Sequence, residues 1–225
     1  GMDMADAYAI QNAFVQRKLA AGGRITGWKI ELTSKAMQYA LGIAIPDSGL
    51  LFEDMFFDHG GTVPDDRFIE PRIEAEIAFI MKHDLAGADV TRGDVISATE
   101  AVAPALEILD TRIYRADPES GATRTVLDTI SDNAANAGVV MGDMRHKVDA
   151  FDLRRVGAIV RRNDEVEETG LGAGVLDDPA LSMAWLVHRL ASYGEGLRAG
   201  DVVLSGSFVR PLEARHGAHL LADYG

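Results

Sequence analysis

Glu70-Pro71-Arg72-Ile73-Glu74-Ala75-Glu76-Ile77-Ala78-Phe79-Ile80 is the stretch on which the fold turns. From Ile73 onward it alternates and is rich in β-formers, which predicts a strand. Successive strand side chains point to opposite faces, so Glu74 and Glu76 share a face with Ala78 and Ile80. The other face carries Ile73, Ala75, Ile77 and Phe79 and reads as core. Two carboxylates thus open a face that continues apolar. Buried charges need a partner, and a hard divalent cation suits adjacent carboxylates. A bare Glu-x-Glu is equally what an edge strand with one wet face carries.

A second segment shifts the balance. Ala103-Pro104-Ala105-Leu106-Glu107-Ile108-Leu109-Asp110 places one acid inside an otherwise apolar strand, with Asp110 at its end. If the two strands are neighbours, Glu107 joins Glu74 and Glu76 in a three-carboxylate site. Such a site suits Mg²⁺ or Mn²⁺, which take carboxylates and keep several waters.

The remaining sequence bounds the class. The chain has 225 residues, 47% hydrophobic and 25% charged, the composition of an ordinary globular protein able to bury a sizeable core. Its net charge of −13, with no Lys/Arg stripe, argues against nucleic acid as a partner. No apolar run approaches the roughly 20 residues of a membrane span. The absence of cysteine excludes a disulfide framework and a thiol nucleophile, and fits a reducing cytoplasm. Gly1 ahead of Met2 reads as a tag remnant and is set aside.

In chain order, residues 4–20 predict an amphipathic helix with Tyr8, Gln11, Val15 and Leu19 on one stripe, stopped at Gly22-Gly23. Ile25 to Leu32 predicts a strand, and Thr33-Ser34 caps a short helix from Lys35 to Leu41. Pro46-Asp47-Ser48-Gly49 reads as a turn. Thr91 with Asp94 starts a helix expected to reach about Val102. Residues 115–125 are polar and turn-rich, a loop suited to the edge of a site. Residues 156–162 and 165–169 predict a hairpin around Asn163-Asp164. Asp178-Pro179 starts a further helix, and Gly200-Asp201 leads into a strand ending at Ser205-Gly206-Ser207. The mixture is strand-heavy, so the expected class is α+β. Either an N-terminal helical and strand subdomain, 1–60, precedes a main domain, 61–225, or the two form one large domain.

Two further residues carry chemistry. Lys29, inside an apolar strand, either snorkels or is a desolvated acid/base or anion anchor. Asp47 either forms an Asx-turn or lines a site. The six histidines fall in no metal-ligand spacing, and Gly172-Ala173-Gly174 is no nucleotide fingerprint.

Taken together, the chain resembles the fumarylacetoacetate hydrolase superfamily, in its hydratase/decarboxylase branch. The resemblance rests on Gly27-Trp28-Lys29-Ile30 running into Leu32-Thr33-Ser34-Lys35-Ala36-Met37-Gln38, then Pro46-Asp47-Ser48-Gly49 and Glu74-Ala75-Glu76. It continues through Pro104-Ala105-Leu106-Glu107-Ile108, Asp132-Asn133-Ala134 and Asp201-Val202-Val203-Leu204-Ser205-Gly206. It implies a mixed β-roll or sandwich with a small helical N-terminal part. It also implies that Glu74, Glu76 and Glu107 hold Mg²⁺ or Mn²⁺, with Lys29 and Asp47 beside the substrate and Ser207 touching a substrate oxygen. Asp110-Thr111-Arg112-Ile113, Asp117-Pro118-Glu119-Ser120 and the run Ser207 to Arg215 are similar to branch members that hydrate 2-oxohept-4-ene-1,7-dioate. The implied activity is metal-dependent hydration of that 2-oxo dicarboxylate or its dienol in aromatic catabolism. Three rivals are 2-hydroxypenta-2,4-dienoate hydration, 2-oxo-3-hexenedioate decarboxylation and a non-catalytic partner subunit. A distal carboxylate calls for an arginine, with Arg210 first and Arg112 or Arg124 next. Family members form homo-oligomers, often pentamers or decamers, and continue past both ends of this chain. Two residues depart from the family pattern: Glu31 stands where Gly is usual, on the face of Lys29 and able to pair with it, and Trp28 replaces a polar or tyrosine residue.

Overall fold

The computed structural model describes residues 1–35, 38–39 and 45–225. Its elements run α1 (Met4–Ala20), β1 (Ile25–Glu31), β2 (Asp47–Phe52), β3 (Phe56–Phe57), β4 (Arg72–Met81), α2 (Arg92–Ala98) and β5 (Thr99–Leu109). They continue with α3 (Val126–Ser131), β6 (Asn136–Met141), β7 (Gly157–Arg162), β8 (Glu165–Leu171), α4 (Pro179–Ala191), β9 (Val202–Ser207), β10 (Leu212–Glu213) and β11 (Leu220–Asp223). The class is α+β, as the strand-rich pattern implies.

One eight-stranded sheet has the order β2-β1-β9-β4-β5-β6-β3, with β10 also paired to β4. It is mixed, because β9 runs parallel to β1 and β3 parallel to β6, while β4 is antiparallel to both neighbours. A second sheet, β11-β7-β8, is antiparallel. The expected boundary at residue 60 falls between β3 and β4 of the large sheet, where β1 pairs with β9, β3 with β6, and β2 joins at the edge through β1.

Strand β4 is central and covered on both sides, which removes the reading of an edge strand with a wet face. Ile73, Ala75, Ile77, Phe79 and Met81 enter the main core with residues of α2, α4 and β7. Across the strand, Ala78 packs with Leu51, Ala105, Val139 and Leu204 in a smaller cluster. Phe79 is fully buried, and its truncation to Ala costs about 3–5 kcal/mol.

Local signals placed the helices well. Thr91 and Asp94 form a reciprocal capping box on α2, and Asp178 caps α4 ahead of Pro179. α2 ends at Ala98 rather than near Val102, because Thr99 to Leu109 extends as β5 against the full length of β4. Pro46-Asp47-Ser48-Gly49 is not a turn: Asp47 opens β2, every residue of which is buried. Gly49 permits this, since a Cβ there would lie 2.5 Å from the Asn133 carbonyl oxygen. Most of the expected helix from Lys35 to Leu41 lies outside the described residues. β6, α3 and β11 had no expectation attached.

Candidate active site

The register of β4 and β5 sets Glu74 directly opposite Glu107, with Glu76 opposite Ala105. Carboxylates facing each other across an antiparallel pair repel unless something sits between them. All three are buried, and each offers an oxygen within 4.8 Å of the others. Burial is the first cause that pushes both Glu74 and Glu76 well above the ordinary carboxylate range, and neighbouring acids add to it.

Each carboxylate has fixed contacts on one side. Glu76 Oε2 accepts from the Gly206 N–H at 2.7 Å, while its Oε1 has no partner among the described residues. Gly206 is needed for this contact: its φ is +115°, and a Cβ would collide with the Thr33 side chain. Glu107 Oε1 accepts from Asn136 Nδ2 at 2.8 Å, and its Oε2 is likewise orphaned. Buried oxygens are normally satisfied. Two unsatisfied carboxylate oxygens in an all-oxygen donor set fit a hard divalent cation.

β1 presents Lys29 and Glu31 to the same face, since Ile30 between them enters the opposite core. The Lys29 ammonium is fully buried, 2.5 Å from Glu31 Oε2 and 3.2 Å from Glu107 Oε1. Burial alone would lower its pKa, but Glu107, Glu31 and Asp47 outweigh it and hold the amine protonated. The choice between a snorkelling lysine and a desolvated one is thereby settled: Lys29 is enclosed. The pairing anticipated for Glu31 is present, and burial still raises this carboxyl despite the Lys29 charge.

Asp47 pairs in register with Glu31 across β1 and β2. Both of its oxygens are buried without a hydrogen-bond partner among the described residues. Burial first, then the Glu31 charge, pushes Asp47 up to about 8. An Asx-turn is excluded by the strand around it. Behind Asp47, Arg189 stacks on the Tyr8 ring at 3.7 Å and donates to Ser48 Oγ at 3.1 Å. Burial and the Asp47 charge lift the Tyr8 hydroxyl to about 12.

Ser207 lies opposite Glu76 in register, with its hydroxyl within hydrogen-bonding reach of Glu74 and of the Val209 carbonyl oxygen. Arg210 is exposed and its guanidinium is held by Glu168 at 2.6 Å. Arg112 is committed to Asp132 at 2.5 Å. Asp110 accepts from the backbone N–H groups of Ile69 and Glu70, closing a loop rather than joining the carboxylates.

Asn136 and Arg189 are not singled out by the sequence, and Gly206 is marked there only as part of a strand end. Asn136 follows Asp132-Asn133-Ala134, where Asn133 exchanges two 2.9 Å hydrogen bonds with the Leu50 backbone. Asn133, Ala134 and Ala135 all take left-handed φ near +54°. This strained turn delivers Asn136 to Glu107.

The match to known proteins agrees with this geometry. Residues 34–223 match the fumarylacetoacetate (FAA) hydrolase C-terminal family. The chain belongs to this family. Among its relatives, 2-oxo-hept-4-ene-1,7-dioate hydratase of Escherichia coli is 51% identical over 220 residues, spanning 98% of this chain and 82% of that protein. The TodF product hydratase of Pseudomonas putida is 40% identical, over 91% of this chain and 74% of its own length. In three dimensions, the 4-oxalocrotonate decarboxylase of Pseudomonas putida G7, solved with magnesium and adipate, superposes with a TM-score of 0.91 at 33% identity. That superposition covers 98% of this chain and 82% of the decarboxylase. As a member of the fumarylacetoacetate hydrolase family, the chain carries its carboxylate cluster on the two longest strands of the sheet. No helix among the described residues is long and apolar enough to cross a membrane.

Proposed function

We propose that this protein is a divalent-metal-dependent hydratase acting on 2-oxohept-4-ene-1,7-dioate or its dienol. The observation that carries this reading is the convergence of Glu74, Glu76 and Glu107 with Lys29 and Asp47 on one face of one sheet. The 51% identity to the Escherichia coli hydratase supports the choice of substrate.

Glu74, Glu76 and Glu107 are the residues that would hold Mg²⁺ or Mn²⁺, two of them through the unpaired Glu76 Oε1 and Glu107 Oε2. When bound, such a cation supplies Lewis-acid stabilisation of the charge that a 2-oxo acid develops on enolisation. The protein's own groups handle the protons. Shifting the double bond into conjugation with the oxo group requires one proton removed and one delivered to carbon. Adding water requires a proton taken from the attacking oxygen and another returned to the neighbouring carbon. Asp47, titrating at about 8, is poised to give and take protons near neutral pH. Lys29 stays charged, orients Glu107 and faces the developing oxyanion. Ser207 is assigned a hydrogen bond to a substrate oxygen.

A second reading, decarboxylation of 2-oxo-3-hexenedioate, draws on the likeness to the decarboxylase fold. Turnover of the heptenedioate, the hexenedioate and 2-hydroxypenta-2,4-dienoate, each with and without Mg²⁺ and with Glu76→Gln as control, separates the readings. Cation-dependent hydration of the heptenedioate, lost in the variant, is the expected result. Tight metal binding without turnover of any of the three would instead indicate a non-catalytic partner, with Glu31 marking a degenerate site. We also propose a homo-oligomer, pentamer or decamer, which analytical ultracentrifugation tests.

A further inference from the structure

The seven-carbon dioate poses a question that the carboxylate cluster leaves open: what receives the second carboxylate? Most arginines near the site already have an acid. Arg112 is paired with Asp132, Arg115 with Glu70 and Arg210 with Glu168. Arg124 differs. It is partly buried, and among the described residues no carboxylate lies within 4.0 Å of its guanidinium, although the protein carries 35 acidic residues against 22 basic ones. One terminal N–H is tied to Thr111 Oγ1, which itself donates to the Ile113 carbonyl oxygen. That tether fixes the plane of the fork, and its remaining N–H groups have no partner among the described residues.

The placement is built by the backbone. Thr111 is buried and lies two residues beyond the end of β5, the strand that carries Glu107. From there the chain leaves in a hairpin-like loop. Ala116 bridges Thr123, and the Arg124 N–H donates to the Arg115 carbonyl oxygen at 2.9 Å. The loop thus returns Arg124 to the strand end that it left. Arg115, its cross-strand neighbour, is held away by Glu70 at 2.8 Å. Burial and the Arg115 charge lower the Arg124 pKa, and Glu31 is the carboxylate whose charge most offsets this. Arg124 in turn eases the ionisation of Glu31, which connects it electrically with the face of Lys29.

A partly desolvated guanidinium with an open fork is a receptor for a planar anion, because two parallel N–H···O bonds recover the hydration it has lost. We infer that Arg124, tethered by Thr111 at the rim near Glu31, anchors the distal carboxylate of a 2-oxo dicarboxylate substrate. Glu31 serves the same guanidinium as a distant counter-charge until the ligand arrives. This subsite rests on the reading of the carboxylate cluster as a 2-oxo acid site, and it extends that reading to the far end of the substrate. Arg189 is another cation near Asp47 with no carboxylate partner among the described residues, but the Tyr8 and Tyr193 rings and Ser48 already engage it.

The test uses 2-oxoheptanedioate and 2-oxoheptanoate, saturated compounds of equal length that lack the double bond to be hydrated. Their affinities for the Mg²⁺-loaded, full-length protein are measured by calorimetry in the wild type, Arg124→Gln, Arg189→Gln and Arg210→Gln. The expected result is a wild-type preference for the dioate that falls by about tenfold or more in Arg124→Gln, with the mono-acid affinity unchanged. Retention of the mono-acid affinity also shows that the variant is folded. The assignment is overturned if the wild type shows no preference, if Arg124→Gln keeps it, if both ligands weaken equally, or if the preference follows Arg189 or Arg210. If the preference follows Arg124 while the wild type hydrates no dioate, the subsite stands and the proposed reaction falls.

Discussion

The Lys29 ammonium lies 3.2 Å from Glu107 Oε1, and both side chains are fully buried. In the proposed site, a cation supplied by the protein and a cation supplied by solution would therefore share one carboxylate. Lys29 and Asn136 hold the first oxygen of Glu107, and the second has no hydrogen-bond partner among the described residues. The division of labour makes the lysine a structural part of the site before it is a chemical one.

Lys29→Met is accordingly expected to do more than stop turnover. Removing the ammonium leaves Glu31 and Glu107 without their buried counter-charge, which costs about 3–5 kcal/mol of stability. Chemical denaturation of the metal-free variant measures the loss; a change within about 0.5 kcal/mol would contradict the pairing.

Glu76→Gln should act in opposite directions with and without metal. Without it, one repelling buried charge disappears and the melting temperature rises or holds. With it, the ligand is lost, and the stabilisation of about 2.7 kcal/mol expected at a hundredfold excess over Kd shrinks. Thermal melts across a Mg²⁺ titration read both effects; an unchanged metal-induced shift removes Glu76 from the ligand set.

The pH dependence has a definite sign. Asp47 moves from an ordinary value of 3.8 to about 8, so between those values the native state binds more protons than the unfolded chain. Stability of the metal-free protein then falls as pH rises from about 4 to about 8. Glu74 and Glu76, also raised, act in the same direction. Asp47→Asn should flatten the profile, and a wild-type profile that climbs through this window would refute the buried acid.

Asn136→Ala removes the 2.8 Å bond that orients Glu107 without removing a ligand. Outer contacts of this kind typically contribute 10–100-fold to metal affinity. Calorimetric titration with Mn²⁺ should show a loss in that range, with Asn136→Asp failing to restore wild-type affinity because an ionised aspartate cannot donate to Glu107 Oε1.

How much of this was readable beforehand depends on the range of each signal. The β4 alternation, the Thr91 capping box and the Asp178-Pro179 helix start are local, and each marked its element correctly. Glu74 and Glu76 stand out from the strand alternation, and Glu107 because an acid in an apolar strand conflicts with its neighbours. Asp47 was harder: proline, aspartate, serine and glycine in succession have turn chemistry, and only pairing with β1 and the close approach of Asn133 make them a strand. Asn136 and Arg189 give no local sign, since their roles depend on partners 29 and 141 residues away. Arg124 looks like any loop arginine until its neighbours are seen to be occupied.

Strand β9 sits between β1 and β4, although some 120 residues separate it from the second of these. During synthesis, β1 and β4 must wait with open edges until β9 leaves the ribosome, and Gly206 delivers the last contact to Glu76. The proposed metal site therefore has its three carboxylates on β4 and β5 but lacks, until β9 arrives, the contact that orients Glu76. A cation bound there would find Glu76 oriented only in the closed sheet, so adding Mg²⁺ should slow unfolding more than it accelerates folding.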